Sequence, residues 1–281
     1  MKITHDFHIH TELSLCSGGP GKGGTLQGYL KNAKELGLKT LGFADHFWDA
    51  GVGFDSLYIN SRQAKDVPWY YKTQNFEYIS QLKKEIDATD TGDVKVLFGA
   101  EGEYDPVNHS VAVTQAVAEQ LDFIIVPNSH THMMMDIKNY EPFEAHRDFM
   151  VKALEDIVTC PVGRYVKAIA HPFNAVQTTV FDEETILSLT DDDTFKRCFS
   201  LMAENGVAFE INTSSMGSIF GNLENPEHHL RMLYHAKECG CKFSFGSDAH
   251  SEKGQLKHVE LSEMVAERLG LTEDDIADFV K

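Results

Sequence analysis

Two short segments at opposite ends of the chain carry side chains that bind metal ions. Near the N-terminus, His8 and His10 stand in the sequence Asp-Phe-His-Ile-His-Thr; near the C-terminus, Asp248 and His250 stand in Gly-Ser-Asp-Ala-His-Ser. Each pair is separated by one residue and follows an apolar run typical of a strand. Because side chains at positions i and i+2 of a strand point to the same face, each pair can bind one ion or two neighbouring ions.

Further polar residues stand at the ends of other apolar runs: Asp45 and His46, Glu101 and Glu103, His130 and His132, His171, and Glu210 and Asn212. Imidazole and carboxylate ligands together suit Zn, Mn or Fe rather than Ca. A carboxylate such as Glu101 can bridge two ions roughly 3.5–4 Å apart. His130 and His132 both fit the end of their strand, and we favour His130 as a ligand. The pattern predicts a multinuclear hydrolytic metal site.

Seven short apolar runs with strand character precede these polar residues, near 3–9, 39–44, 94–100, 121–127, 166–170, 206–211 and 241–246. In a parallel barrel the carboxyl ends of all strands lie on one face. The polar residues that follow the runs would therefore meet at that face, and isolated structural histidines have no reason to repeat this position.

Amphipathic stretches separate most of the strands. Thr25 is a suitable N-cap for a helix that Gly37 would end, and apolar spacing predicts further helices near 76–88, 111–120, 143–158, 183–205, 227–238 and 256–269. Strands that alternate with helices indicate parallel βαβ units. We predict an α/β fold with a single distorted (β/α)7 TIM-like barrel; an open doubly wound sheet is the alternative. No linker rich in Pro, Gly or Ser divides the chain, so we expect one domain over residues 1–281.

Composition excludes several classes of protein. The 281 residues are 42% hydrophobic with a net charge of −18, which is typical of a globular protein and opposes binding to nucleic acids or anionic membranes. An anionic substrate stays compatible with this charge, because bound divalent cations make a cleft locally positive. Five cysteines without zinc-finger spacing, and no signal peptide or membrane-spanning run, predict reduced thiols and a cytoplasmic location.

The set of motifs resembles the PHP (polymerase and histidinol phosphatase) family of metal-dependent phosphoesterases. The matching segments cover nearly the whole chain and are 8–11, 44–46, 99–104, 170–172 and 246–251. Segments 122–125 and 205–214 resemble the histidinol-phosphatase branch in particular. After the second of these the chain continues as Ser215-Met216-Gly217, where such relatives often carry a basic residue. The resemblance implies a (β/α)7 barrel with two to three divalent ions (Zn, Mn or Fe) at the carboxyl ends of the strands.

The resemblance also implies which residues bind which ion. One ion would be held by His8, His10, Glu101 and Asp248, a second by Glu101, His130 and His171, and a third by His46, His250 and Cys16. Relatives often have His or an acidic residue at the position of Cys16. A thiolate favours Zn or Fe over Mn; a buried cysteine that binds no metal is the alternative.

Together with these ligands, the resemblance implies hydrolysis of a small phosphomonoester by metal-activated water. It also implies L-histidinol phosphate as the leading substrate, which would place the enzyme in histidine biosynthesis. We predict Asp248, Glu101 and His250 as catalytic residues, and Lys22 and Arg62 as contacts of the substrate phosphate. A nucleotide phosphodiesterase or nuclease of the same family is the alternative, but such an enzyme requires a basic track that this acidic chain lacks. A non-catalytic metal-binding domain is a third alternative, against which the near-complete ligand set argues.

Overall fold

The computed structural model describes residues 1–52, 70, 72–174, 183–214 and 227–281. Seven parallel strands run in chain order around a barrel: β1 (His5–Ile9), β2 (Thr40–Phe43), β3 (Lys95–Glu101), β6 (Phe123–Pro127), β7 (Val166–Ala170), β8 (Ala208–Asn212) and β9 (Phe243–Gly246). A separate antiparallel hairpin consists of β4 (Tyr104–Asp105) and β5 (Ser110–Val111). All seven predicted strands are therefore present, and the carboxyl ends of the barrel strands define what we call its upper end.

Helices connect the strands. They are α1 (Leu26–Leu36), α2 (Phe76–Ala88), α3 (Gln115–Ala118), α4 (Thr131–Met134), α5 (Phe143–Thr159), α6 (Glu183–Ser188), α7 (Asp192–Glu204), α8 (Glu227–Glu238) and α9 (Glu252–Leu269). Thr25 caps α1 as predicted, because its side chain accepts a hydrogen bond from the N–H of Gly28 at 3.1 Å, and Gly37 ends the helix with a φ of 72°. Within the described ranges, no helix is long and apolar enough to cross a bilayer.

The barrel is nearly closed where its first and last strands meet. The N–H of His10 donates to the carbonyl of Ala249 at 2.9 Å, and the N–H of Asp248 donates to the carbonyl of His8 at 2.8 Å. An open doubly wound sheet has no such contact between its edge strands. The structure thus confirms the predicted distorted barrel, and it joins the two segments that carry the first and last predicted metal ligands.

The lower half of the barrel interior is apolar. The rings of Phe7 and Phe123 pack with centroids 4.1 Å apart. Gly99 on β3 faces this pair, and a Cβ atom there would lie 2.3 Å from the ring of Phe123. Buried parallel strands of this kind position the polar residues that follow them, because they leave the strand ends little freedom to shift.

Two helix predictions were wrong in part. Residues 111–120 do not form one helix, because Val111 belongs to the β4–β5 hairpin and the N–H of Ala112 donates to the carbonyl of Glu103; only Gln115–Ala118 is helical. Residues 183–205 form two helices, α6 and α7, because the side chain of Asp191 accepts from the N–H of Thr194 and starts a new helix there.

Candidate active site

The predicted ligands of the first ion converge at the upper end of the barrel. Atom Nε2 of His8 lies 3.0 Å from Nε2 of His10. An Oε2 atom of Glu101 lies 3.3 Å from the first of these nitrogens and 3.4 Å from the second, and Oδ1 of Asp248 lies 3.1 Å from Nε2 of His10. Four side chains from strands β1 and β3 and the end of β9 thus point their ligand atoms at one small volume.

Glu101 joins this group to a second one. Its Oε2 atom faces His8, His10 and also His46, whose Nε2 is 3.2 Å away, whereas its Oε1 atom lies 3.0 Å from Nε2 of His171 and 3.7 Å from Nε2 of His130. Burial opposes ionisation of Glu101, but His46 and His8 outweigh it and hold the pKa of the carboxyl well below its usual range. An ionised carboxylate with each oxygen in a different cluster has the geometry of a bridging ligand.

The hydrogen bonds on the far side of each imidazole define which nitrogen is left for a ligand. Nδ1 of His8 donates to Oε1 of Glu210 at 2.8 Å. Nδ1 of His10 lies 3.3 Å from Oγ of Ser14, whose own proton goes to Asp45 at 2.7 Å, so the Ser14 oxygen accepts from His10. In the neutral form of both rings Nε2 is then an unprotonated acceptor, and the two acceptors face each other at 3.0 Å.

The same arrangement recurs at three further histidines. Both oxygens of Glu103 lie close to Nδ1 of His130, at 3.1 and 2.9 Å. Nδ1 of His171 lies 2.9 Å from Oγ of Ser129, and Nδ1 of His250 donates to the main-chain carbonyl of Asp248 at 2.8 Å. Histidines that bind metals characteristically donate their other N–H in this way. The donor set therefore fits divalent cations, since imidazole Nε2 atoms and carboxylate oxygens face one another, and in the neutral rings those nitrogens carry lone pairs.

Electrostatics favour a cation at this position. Burial lowers the pKa of His8, but Glu210, Asp248 and Glu101 outweigh it and raise that pKa well above its usual range. Burial likewise raises the pKa of Asp248, but the neighbouring His8 and His10 hold it well below its usual range. The carboxylates that attract a proton to His8 attract a divalent cation more strongly, because the Coulomb energy scales with charge.

Within the described residues, four overlapping groups of three side chains have ligand atoms close enough for a metal ion. They are His8, His10 and Glu101; Glu101, His130 and His171; His10, Cys16 and His46; and His10, Asp248 and His250. The first contains three of the four residues predicted for the first ion, without Asp248, and the second consists of the residues predicted for the second ion. The residues predicted for the third ion are divided between the other two groups, with His10 common to both. Cys16 is a free thiol, as are the other four cysteines, and burial together with the nearby Asp248 and Glu101 raises the pKa of Cys16.

Glu210 is the residue whose role sequence reasoning missed. It was placed at the end of its strand but given no task, whereas its Oε1 atom accepts from His8 and its Oε2 atom accepts from the N–H of His171 at 2.7 Å. Gly246 on the neighbouring strand leaves room for it, since a Cβ atom there would lie 2.4 Å from Oε1 of Glu210 and 2.5 Å from Cβ of His8. The alternation Phe-Glu-Ile-Asn in β8 was the available signal, because it turns Glu210 into the barrel.

Backbone strain coincides with two of the predicted ligands. Asp248 has a φ of 50° and His171 a φ of 28°, in the left-handed region that residues with a Cβ atom rarely adopt. Such conformations persist where the surrounding structure holds them, and they concentrate at functional sites. Here the main chain around Asp248 is held by its N–H bond to His8 and by the bond from His250 to its carbonyl.

Tyr29 of α1 contacts both chain segments at the point where the barrel closes. Its hydroxyl, in a fully buried side chain, lies 2.8 Å from the carbonyl of His10 and 3.2 Å from the carbonyl of Ala249. Asn32, one turn later, donates to the carbonyl of Glu252 at 2.7 Å. The first helix thus holds together the two chain segments that supply His10 and His250.

The ligand groups form the floor of a cavity of about 330 Å³. Its described lining includes Asp248 and His250 together with the apolar and aromatic residues Trp48, Tyr70 and Met133. A cavity of this size is at the small end of the range of small-molecule sites, roughly 300–1,000 Å³. It contains no Lys or Arg among its described lining residues, so cations bound by the floor are the available source of positive charge for an anionic substrate.

Comparison with known families agrees with this geometry. The model of the PHP domain matches residues 6–214, well over half of the chain. This chain belongs to the PHP domain family. The resemblance inferred from the motifs is therefore confirmed. No curated protein sequence is significantly similar to the chain.

Two solved structures share the PHP fold of this chain. One is histidinol phosphate phosphatase from Lactococcus lactis subsp. lactis in complex with zinc, L-histidinol and phosphate; it is 14% identical, with 98% of each chain covered and a TM-score of 0.64. The other, from Listeria monocytogenes, is described as a candidate histidinol phosphatase; it is 16% identical, with 89% of this chain and 96% of that chain covered and a TM-score of 0.62. At these identities the likeness concerns the fold. Together with the PHP domain it supports the prediction of a metal-dependent phosphatase.

The predicted site residues differ in where the PHP fold places them. All nine predicted metal ligands belong to the groups described above. His132, the alternative to His130, lines the cavity but belongs to none of these groups. Lys22 is exposed and is not among the described residues that line the cavity, and Arg62 lies outside the described residues. Both therefore stay predictions as contacts of the substrate phosphate.

Proposed function

We propose that this PHP protein is a metal-dependent phosphatase of a small phosphomonoester, with L-histidinol phosphate as the leading substrate and L-histidinol and phosphate as products. The observation that carries the proposal is the convergence of imidazole Nε2 atoms on Glu101, whose two oxygens each face a different group of candidate ligands. A structural core gains nothing from such a convergence, whereas a hydrolytic site with several cations requires it. The shared fold with a phosphatase that binds zinc, L-histidinol and phosphate supports the choice of substrate.

Two to three divalent ions (Zn, Mn or Fe) fit the donor set. His8, His10, Glu101 and Asp248 would hold the first ion; Glu101, His130 and His171 the second; and Cys16, His46 and His250 the third. When bound, such ions neutralise the phosphate oxygens and lower the pKa of a coordinated water toward ~7. The ligand imidazoles are kept in a fixed orientation by hydrogen bonds from their Nδ1 atoms to Glu210, Ser14, Glu103 and Ser129.

Asp248 and His250 are the proposed catalytic residues that border the substrate. Their side chains are 21% and 38% exposed, whereas His8, His10 and Glu101 are almost completely buried. The Oδ2 atom of Asp248 accepts from Nδ2 of Asn212 at 3.2 Å. This carboxylate would accept a hydrogen bond from the attacking water and orient it toward phosphorus. Glu101 acts through both of its oxygens by fixing the spacing of the two ligand groups.

The experiment that tests this function is phosphate release from L-histidinol phosphate by the metal-loaded protein. Sugar phosphates, nucleotides and a short oligonucleotide serve as comparison substrates, and metal content is measured by mass spectrometry on the same sample. We expect bound divalent ions and selective release from L-histidinol phosphate. Absence of bound metal after incubation with Zn, Mn and Fe contradicts the phosphatase; bound metal with preference for another phosphomonoester contradicts only the substrate, and preference for the oligonucleotide favours the nuclease.

A further inference from the structure

Beside the candidate ligand His46, the cavity has an aromatic and apolar wall that the proposed chemistry does not use. The wall consists of Leu15, Trp48, Tyr70 and Met133. The rings of Trp48 and Tyr70 are stacked, with centroids 4.4 Å apart and an angle of 12° between their planes. This wall is adjacent to the ligands, because the ring of Trp48 lies 6.1 Å from that of His46. A group attached to a phosphate bound at the floor would therefore contact the wall.

The wall is held in place before any ligand binds. Trp48 is 5% exposed and packs with Ala112, Met133 and Met134 in an apolar cluster separate from the main core. Its main-chain N–H donates to the carbonyl of Gln74 at 2.7 Å. A rigid, preorganised apolar surface binds a ligand group with little loss of conformational entropy.

One polar side chain of the cavity, that of Gln74, is already engaged. Its Oε1 atom accepts from the N–H of Leu15 at 3.2 Å, and its Nε2 donates to the carbonyl of Leu13 at 2.7 Å. Apart from candidate ligands, the described lining contains no charged side chain. A leaving group with many hydroxyls would exchange most of its hydrogen bonds to water for contact with apolar and aromatic surface, which is costly. A flat ring loses none and gains contact with an aromatic face.

We propose that Trp48 and Tyr70, with Met133, form the subsite for the leaving group, and that they select phosphomonoesters whose alcohol carries a flat aromatic or heteroaromatic ring. The proposal rests on the phosphatase function proposed above and narrows its substrate class. Imidazole belongs to this class, and a protonated ring also gains from the negative face of an indole or phenol. Sugar phosphates and glycerol phosphates are disfavoured because the described wall is mainly apolar and aromatic and offers few polar atoms to replace the water around their hydroxyls.

The test compares substrates that differ in the flatness of the ring and little else. The pair is 2-phenylethyl phosphate and 2-cyclohexylethyl phosphate, both esters of primary alcohols, so the leaving-group chemistry is nearly equal. L-Histidinol phosphate and glycerol 3-phosphate complete the panel. We expect wild-type protein to prefer the phenyl over the cyclohexyl ester in kcat/KM by about three- to tenfold, the range expected of an aromatic contact.

Variants of Trp48 and Tyr70 distinguish the effect of an aromatic ring in the wall from the effect of its apolar volume. Trp48→Leu and Tyr70→Leu should bring the phenyl-to-cyclohexyl ratio close to one, while Trp48→Phe and Tyr70→Phe retain a ring and should retain most of the ratio. Circular dichroism and the content of bound metal are measured on all four variants to show that they fold and keep their metal. An unchanged ratio in both Leu variants contradicts the subsite. A Leu variant that does not fold leaves the decision to the other position, and a wild-type ratio of one also contradicts the proposal.

A binding measurement separates failure of the subsite from failure of the phosphatase. The ligands are 3-phenylpropylphosphonate and 3-cyclohexylpropylphosphonate, whose C–P bonds are not hydrolysed, and calorimetry on zinc-loaded protein measures their affinities. If the wild type binds the phenyl ligand more tightly and Trp48→Leu loses this preference, the subsite is supported. This holds even if no ester is hydrolysed, and only the proposed function is then contradicted. Equal affinities, together with hydrolysis of the esters, retain the phosphatase and overturn the subsite.

Discussion

Strand β1 carries two buried histidines with opposite surroundings, His5 at its lower end and His8 near its upper end. Nε2 of His5 accepts a hydrogen bond from the main-chain N–H of Phe245 at 2.9 Å. Nε2 of His8 instead faces groups that can bind a cation, namely Nε2 of His10 at 3.0 Å and Oε2 of Glu101 at 3.3 Å. Burial alone is therefore no sign of a metal ligand. The type of partner decides, because a lone pair that the protein's own N–H satisfies has no need of a cation.

The pKa values of His5 and His8 also differ, in agreement with their different partners. Burial lowers the pKa of His5 to about 3, and no carboxylate offsets this. At His8 burial acts in the same direction, but Glu210, Asp248 and Glu101 reverse it. One end of the strand thus excludes charge, and the other attracts it.

The largest expected effect follows from removing a ligand at the upper end. His10→Ala and Asp248→Ala should abolish phosphatase activity and lower the bound metal, because His10 belongs to three of the four ligand groups and Asp248 borders the substrate. Thermal denaturation and metal analysis accompany the assay. His132→Ala is the matched control: it removes a cavity histidine that belongs to no group and should keep its metal. Full activity in the His10 variant would overturn the assignment of the metal site.

The second largest effect, on metal affinity, is expected from changing Glu210, whose carboxylate bonds to the candidate ligands. Glu210→Gln leaves one acceptor oxygen where the structure uses two, for His8 and for the N–H of His171. One of these donors then faces an NH₂ group, and metal affinity should fall by about 10–100-fold. Competition with a chelator measures the affinity, and the same substitution at the exposed Glu204 serves as control. Equal affinities of the Glu210 variant and the wild type would mean that Glu210 does not orient the ligands.

A smaller effect is expected where the barrel closes. Tyr29→Phe removes the hydroxyl near the carbonyls of His10 and Ala249 and should lower the free energy of unfolding by about 1–3 kcal/mol. Because these carbonyls belong to the segments that hold His10 and His250, metal affinity should fall as well, whereas a purely structural role changes stability alone. Urea denaturation of the metal-free protein and chelator competition separate the two results.

The smallest expected effect concerns His5 and is a change in how the free energy of unfolding depends on pH. Its pKa is about 3 in the folded protein against an ordinary value of 6.5, so below pH 6.5 the unfolded state binds more protons and stability is lost as the pH falls. His5→Gln keeps an acceptor for Phe245 but does not titrate. Between pH 6 and 4, the free energy of unfolding of the wild type should therefore fall more steeply than that of the variant, by up to about 1.4 kcal/mol per pH unit. Parallel curves from denaturant titrations would contradict this.

Much of the fold and the ligand set could be predicted because both depend on local patterns. The seven strands are recognisable as apolar runs, and the ligands follow them directly. The helix predictions failed at 111–120 and 183–205, where the deciding interactions were the pairing of Val111 with Tyr104 and the capping by Asp191. Helical spacing of apolar residues does not reveal these interactions. The strand pairing depends on a hairpin partner, and the capping depends on a single side-chain hydrogen bond.

The sequence by itself determined which residues can bind metal and that they share one face, because a strand's alternation and a parallel barrel's geometry do not depend on distant contacts. The tertiary structure decided the rest. Only the folded chain shows that Glu210 holds two distant segments, that Tyr29 joins the ends of β1 and β9, and that Trp48 and Tyr70 stack beside the ligand His46. These roles depend on residues far apart in the chain meeting within a few Å, and no local pattern encodes which distant partner a side chain will contact.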